Sequence, residues 1–209
     1  MMTTTGKPFS QACENNKAPI LEIIRAVFTE PATVWEIGSG TGQHACYFAA
    51  QLPHLTWQPT DRADNIPGIR LWLEEADLPN INQPLALDVT DEQWPCRNIE
   101  ALFTANTLHI MSVEEVGVLF QQLAHYLAPA AWVCIYGPFN YQGRFTSESN
   151  RNFNLWLKSQ NPQSGIRDFE EIDALAEAGG LRLIDDHAMP AKNRLLVFQM
   201  QSPKQAVSP

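Results

Sequence analysis

Basic residues are scarce in this sequence: 14 Lys and Arg stand against 23 Asp and Glu, a formal charge of −9 over 209 residues. An anion of that size repels a phosphate polymer, and no Lys/Arg cluster offsets it, which argues against nucleic acid and anionic membranes as partners. No apolar run reaches the roughly 18 residues needed to cross a bilayer. The opening MMTTTGKPFSQ lacks the apolar stretch of a secretory signal, so a cytoplasmic protein is expected. Cysteine is sparse as well. Cys13, Cys46, Cys96 and Cys134 stand far apart. With no C-x-x-C pair and no histidine at ligand spacing, neither structural zinc nor another metal site is expected. Scattered thiols suit a reducing compartment. Repeats, low-complexity tracts and interdomain linkers are also missing, so one domain over 1–209 is expected, with fraying at 1–8 and 201–209.

What remains is a globular composition, 44% hydrophobic and 18% charged. A chain of this length buries about 70% of its unfolded surface. Short apolar runs, partly β-branched and bounded by Gly, Pro, Asn or Asp, predict strands at 33–37, 55–59, 85–89, 101–105, 132–136, 181–184 and 195–200. Helical spacing fills the gaps. Ile20, Ile23, Ile24 and Val27 predict one helix, with Pro19 near its start; Ala45, Phe48, Ala49 and Leu52 predict another, stopped by Pro53. Ile69, Trp72, Leu73 and Ala76 repeat the pattern. Ser112 and Glu115 form a capping box ahead of Val116, Leu119, Phe120 and Leu123. Asp168 is placed to cap a helix over 169–178, with Gly179 or Gly180 as its stop. Alternating strands and helices imply right-handed crossovers, a mostly parallel sheet and a three-layer α/β sandwich.

The chemistry concentrates in Glu36-Ile37-Gly38-Ser39-Gly40-Thr41-Gly42, which leaves the first strand and enters a helix. Glycines at alternate positions let main chain turn sharply and approach a ligand, and the helix start presents unpaired N–H groups. Alone, such a loop also serves packing. Asp61 follows Gly42 by 19 residues, near the spacing at which a carboxylate meets ribose hydroxyls. Asp88, with Val89 beside it, is expected at the end of the third strand, where it accepts from an adenine amino group. A dinucleotide fingerprint wants its third glycine where Gln43 stands. Glu36, two residues before Gly38, opposes a diphosphate and favours a cation. No lysine follows the loop, so phosphoryl transfer from ATP is disfavoured.

These residues resemble the class I S-adenosylmethionine-dependent methyltransferases, whose E/D-x-G-x-G-x-G loop matches Glu36 to Gly42. Segments 9–17 (FSQACENNK), 58–61 (QPTD), 136–139 (YGPF), 149–150 (SN), 165–168 (GIRD) and 189–193 (MPAKN) resemble one branch of that class. Its animal members are named methyltransferase-like twenty-six, and it was long filed as a domain of unknown function. The resemblance implies a Rossmann-like seven-stranded sheet in the order 3-2-1-4-5-7-6 with strand 7 antiparallel. It implies S-adenosyl-L-methionine at Glu36, Gly38, Ser39, Gly40, Thr41, Gly42, Asp61, Asp88, Val89, Asn106 and Leu108. Pro129-Ala130-Ala131 departs from the Pro-Gly-Gly usual before strand five, so that turn is expected to be less sharp.

The methyl end falls to the residues after strands four and five. Asn106 is placed to hold the cofactor's ammonium group, and His109 borders the acceptor as a candidate base, with a core or capping histidine as the plain alternative. Tyr136 is the second candidate catalytic residue. Asn16, Tyr141 and Asn150 are the candidate substrate contacts. Residues 1–30 form an N-terminal helical cap, and the polar 140–167 stretch is a candidate substrate lid, in which Phe153, Trp156 and Leu157 share a helical face. No nucleophile–base arrangement suggests a covalent intermediate. The function expected is in-line methyl transfer to a small molecule. A catalytically silent cofactor-binding or partner-activating module is the alternative, and an NAD-linked oxidoreductase the third reading. Self-association carries no signal in the sequence.

Overall fold

The structure, a computed structural model, describes residues 6–202. A first helix, α1 (Gln11–Val27), precedes β1 (Thr33–Ile37), α2 (Gln43–Gln51), β2 (Thr56–Asp61), α3 (Ile66–Ala76) and the two-residue β3 (Leu85–Ala86). Then follow β4 (Ile99–Ala105), α4 (Val113–Tyr126), β5 (Leu127–Gly137), β6 (Phe139–Asn140) and α5 (Glu148–Gln160). The chain closes with β7 (Arg167–Asp168), α6 (Phe169–Ala178), β8 (Leu181–Ala188) and β9 (Arg194–Met200). Seven strands form one sheet in the order β3-β2-β1-β4-β5-β9-β8, and β9 alone runs antiparallel to its neighbours. This is the expected 3-2-1-4-5-7-6 order, with two short strands, β6 and β7, paired outside the sheet.

Central strands of a parallel sheet are covered on both faces and therefore read as continuous apolar runs. The pleat sends alternate residues to opposite layers. Val34, Ala101, Phe103, Cys134 and Val197 pack with Ile20 and Ile24 of α1, Phe48 of α2 and Leu52 just beyond it. Trp35, Leu102, Val133, Ile135 and Phe198 pack on the other side with Leu119, Phe120 and Leu123 of α4 and Ile172 and Ala176 of α6. The capping box at Ser112 and Glu115 is formed as expected.

Several boundaries differ from the sequence expectation. α1 starts eight residues before Pro19, because Ser10 caps it by accepting from the Cys13 N–H. Pro19 lies inside the helix and has no N–H for the Asn15 carbonyl. β3 ends at Ala86, short of Asp88, since the Asp88 carboxylate accepts from both the N–H and the hydroxyl of Thr90 and turns the chain. Asp168 sits at the N-cap of α6 without a side-chain capping bond. The turn expected at 129–131 is instead part of β5, where the register with β4 is interrupted between Leu127 and Trp132, and Ala130 adopts φ 63, the left-handed region that glycine favours, at a conformational cost. The fraying expected at the termini lies mostly outside the described residues. Within them, the Trp72 indole donates to the Pro8 carbonyl at 2.6 Å and Gln201 N–H donates to Gly180 at 2.9 Å.

Candidate active site

The carboxyl ends of β1, β2, β4 and β5 open onto a cavity of about 1470 Å³. In the order β2-β1-β4, the chain reverses direction of travel at β1, the switch point where open α/β sheets bind ligands. The glycine loop is clasped from both neighbours. The Thr60 hydroxyl donates to the Glu36 carbonyl at 2.7 Å, and the Thr104 hydroxyl donates to the Ile37 carbonyl at 2.8 Å. Gly38 has φ +72, and a Cβ there would lie 2.4 Å from Cγ2 of Thr107, so close approach of the two loops demands glycine. At Gly40, φ +58, a Cβ would meet nothing within 4 Å: bare main chain faces open space.

Asp61 anchors this loop. Its Oδ2 accepts from the Gly40 N–H at 2.6 Å, and its Oδ1 accepts from Arg62 N–H at 2.7 Å and Asn65 Nδ2 at 2.8 Å. A carboxylate offers about four acceptor positions, so one remains on Oδ2 toward the cavity. Asp88 and Val89 line the same end. Asp88 is held below its ordinary value by the Thr90 backbone and side-chain donors and then by Arg62, whose Nε lies 3.7 Å away.

Glu36 is a correction. It is 1% exposed and does not line the cavity. The pleat places it on the side of Trp57, whose indole donates to its Oε2 at 3.0 Å, as does the Ser39 hydroxyl at the same distance. Burial pushes its pKa up to about 7, against those two bonds, with Asp61 adding to the rise. It therefore braces the loop from behind instead of presenting charge to a ligand. The negative charge at the cavity comes from elsewhere: Asp61, Asp64, Asp88 and Glu115 line it, against Arg62 as the one formal cation among the described lining residues.

Gly42, Leu108 and Tyr141 also lie away from the cavity. Gly42, φ +89, is packed against Ile69 of α3, which leaves a Cβ 3.2 Å from its Cγ2. Leu108 belongs to the core on the α4 side. The Tyr141 hydroxyl donates to Asp186 at 2.6 Å while its ring stacks on Phe169. Ser39, Thr41, Asn106, His109, Tyr136, Asn16 and Asn150 do line the cavity, with Gly38, Gly40, Asp61, Asp88 and Val89. Asn106 sits at φ 60 with its N–H donated to the Tyr136 carbonyl at 2.8 Å, which turns the chain sharply at the end of β4.

His109 is 5% exposed and packs edge-on against Phe153. Burial, then the Arg167 cation, push its pKa down to about 4. No carboxylate among the described residues hydrogen-bonds this ring. The Arg167 guanidinium instead donates to the carbonyls of Leu108, Met111 and Gln163, tying the end of the 140–167 stretch to the loop after β4. Gly165 N–H to the His109 carbonyl (2.9 Å) and the Ser164 hydroxyl to the Ile110 carbonyl (2.7 Å) reinforce that tie. In α5, Leu157 and Asn150 are buried, whereas Trp156, expected on the same face, is 56% exposed and covers Phe153 by stacking.

Four residues beyond the expected set shape the cavity, Gln43 from behind its lining. Gln43, in the place of a third glycine, accepts from Ser10 N–H at 2.6 Å and donates to Glu14 at 2.6 Å, fastening α1 to the loop. His44 is driven to about 4 by burial and is therefore neutral; its Nε2 meets Asn16 Oδ1 at 2.6 Å. Asn193 donates to the Tyr136 hydroxyl at 2.8 Å, and Thr107 lines the floor. Burial raises the Tyr136 pKa, opposed by donors from Asn193 and Asn16. Only Gln43 had a local signal, its departure from the glycine pattern; the others depend on contacts across tens of residues.

Solved methyltransferases share this architecture. An O-methyltransferase family protein from Burkholderia thailandensis superposes with TM-score 0.81 at 17% identity, over 92% of this chain and 58% of that one. The S-adenosylmethionine-dependent methyltransferase SibL gives 0.77 at 18%, over 91% and 56%. An O-methyltransferase family 2 protein from Planctomyces limnophilus, in complex with apigenin, gives 0.72 at 14%, over 83% and 52%. The present chain thus spans a little over half the length of these proteins, and at such identities the likeness establishes the fold. The family model described as Protein of unknown function (DUF938) matches residues 7–200, and this chain belongs to that family, built on the methyltransferase fold.

Proposed function

We propose that the protein is an S-adenosylmethionine-dependent methyltransferase acting on a small molecule. The observation that carries this reading is the Asp61–Gly40 clasp: bare loop main chain and a carboxylate with a spare acceptor position, side by side at one end of a cavity larger than the roughly 300–1,000 Å³ of a usual ligand pocket. The extra room suits a cofactor and an acceptor together. Asp61 would accept from ribose hydroxyls, Asp88 and Val89 would border the base, and Asn106 and the Gly38–Gly40 main chain would hold the amino-acid end. The acid-rich lining suits a cation. A diphosphate would find the Gly40 N–H already donated to Asp61 and Gly42 N–H donated to Ser39, which weighs against NAD.

S-adenosylmethionine supplies an activated methyl group on a positively charged sulfur. The protein's own task is then alignment and exclusion of water. Arg167 and the Gly165 and Ser164 bonds hold the loop after β4 against the 140–167 stretch, and Gln43 holds α1 across the opposite side. These ties set the width of the acceptor space between Phe153 and the Tyr136–Asn193 pair. We place the protein in the cytoplasm, in keeping with four free thiols. Segment likeness to the methyltransferase-like twenty-six branch belongs to the same proposal. Calorimetric titration with S-adenosylhomocysteine tests it: the wild type should bind, and Asp61→Ala and Gly40→Val should each bind at least tenfold more weakly. Unchanged affinity in both variants, or no binding by the wild type, refutes the assignment.

A further inference from the structure

The acceptor end of the cavity has a distinctive chemistry. Away from Asp61 and Asp88, the lining includes Asn16, Asn150, Asn193, Tyr136, His44 and His109, none of them charged at neutral pH. The one lining cation, Arg62, belongs to the opposite end, beside Asp61 and Asp88. A carboxylate or phosphate entering here would lose its hydration without gaining an ionic partner.

Removal of a proton from an alcohol or phenol needs a base, and His109, the candidate for that role, is not built as one. A histidine base is ordinarily oriented and strengthened by a carboxylate on its second nitrogen. His109 has Arg167 acting on it instead, and Phe153 against its ring. Tyr136 offers a different function. Neutral His44 meets Asn16 Oδ1 through Nε2, which fixes the Asn16 amide in the wall that also carries Tyr136. Asn193 donates to the Tyr136 hydroxyl oxygen. A phenolic oxygen has two acceptor positions and one proton. Asn193 fills one acceptor position, and no described residue accepts the proton, which is left to donate into the cavity.

We propose that the methyl acceptor is an uncharged molecule whose nucleophile is a nitrogen or sulfur lone pair, and that the Tyr136 hydroxyl orients it by donating to a second atom. The acceptor's lone pair forms the new bond to the methyl carbon as the carbon–sulfur bond breaks, and the departing sulfur keeps that bond's electron pair. The positive charge passes from the cofactor's sulfur to the methylated nitrogen or sulfur, no proton has to move, and the net charge in the cavity is the same before and after. This rests on the methyltransferase reading of the same site.

The test uses the full chain in two stages. Titration with S-adenosylhomocysteine comes first; its failure refutes the methyltransferase reading itself. With binding established, protein and methyl-tritiated S-adenosylmethionine are incubated with two sets of probes. One contains pyridines, quinolines, imidazoles and thioethers; the other contains phenols, alcohols and carboxylic acids of matching size. Products of the first set are cationic when formed on pyridine, quinoline or thioether and stay in water, whereas ethers and esters extract into organic solvent. The proposal expects counts in the first set, reduced about tenfold in Tyr136→Phe through the lost hydrogen bond, with S-adenosylhomocysteine affinity unchanged. Counts predominantly in ethers or esters overturn it. So do full activity in Tyr136→Phe and an absence of counts from the first set while the cofactor product binds.

Discussion

Replacing Glu36 by Gln removes an ionisable group and retains the oxygen to which Ser39 and Trp57 donate. Burial raises the carboxyl from 4.5 to about 7. Its folded pKa lies above its unfolded one, so the folded protein is favoured while the group is protonated. Stability is fully present below about pH 4.5 and is lost as pH rises toward 7. That interval corresponds to about 3 kcal/mol. His44 and His109, both pushed down to about 4, act oppositely: each withdraws stability as pH falls below 6.5. A wild-type profile alone therefore mixes the two trends. The difference between Glu36→Gln and wild type cancels the imidazoles. Urea unfolding between pH 5 and 8 should show the variant gaining up to about 3 kcal/mol on the wild type as pH rises, roughly 6–12 °C in melting temperature. Any fixed cost of seating the Gln amide shifts the whole difference curve without changing its slope. A difference that stays flat over this range refutes a buried, proton-binding Glu36 and would return its charge to the cavity.

Gly38→Ala should destabilise by about 3 kcal/mol, from crowding against Thr107 and from the positive φ together. Thr107→Ser removes the Cγ2 in the way, so the double variant should recover the steric part in thermal unfolding; additive losses would show that the contact is not the cause. Ala130→Gly relieves an exposed left-handed alanine at the irregular start of β5 and should stabilise by up to about 1 kcal/mol, or about 2–4 °C, with cofactor affinity unaltered. Loss of stability there would refute the strain at Ala130. For Asp61→Ala, calorimetry should also reveal weaker S-adenosylhomocysteine binding than for Asp88→Ala, because Asp61 also holds the Gly40 N–H of the glycine loop, whereas the Asp88 carboxylate is bonded to Thr90, two residues on.

Local interactions made much of this molecule legible. Strand runs, helix stripes and the Ser112–Glu115 box depend on residues a few positions apart, and from their alternation alone the sheet, its layers and the glycine loop followed. Asp61 was legible for the same reason, since a strand end at that distance from the loop has one place to go. Apolar Leu87 and Val89 extend the predicted third strand past its end at Ala86, and only the Asp88–Thr90 bonds show that the chain has already turned.

Side-chain destinations are another matter. Parity along β1 puts Glu36 on the same face as Val34, yet what lies opposite is Trp57, 21 residues away, and that contact decides between a charge in the cavity and a buried acid behind it. Leu108 enters the core while Thr107 and His109 meet the cavity, because Arg167, 59 residues on, grips the carbonyl between them. Tyr136 and Asn193 are 57 residues apart and meet only because β9 lies antiparallel to β5. The sequence by itself determined the order of elements and the place of the loop, through forces acting between near neighbours. Tertiary packing alone decided which polar groups face the cavity and in what protonation state, since burial and distant partners set both.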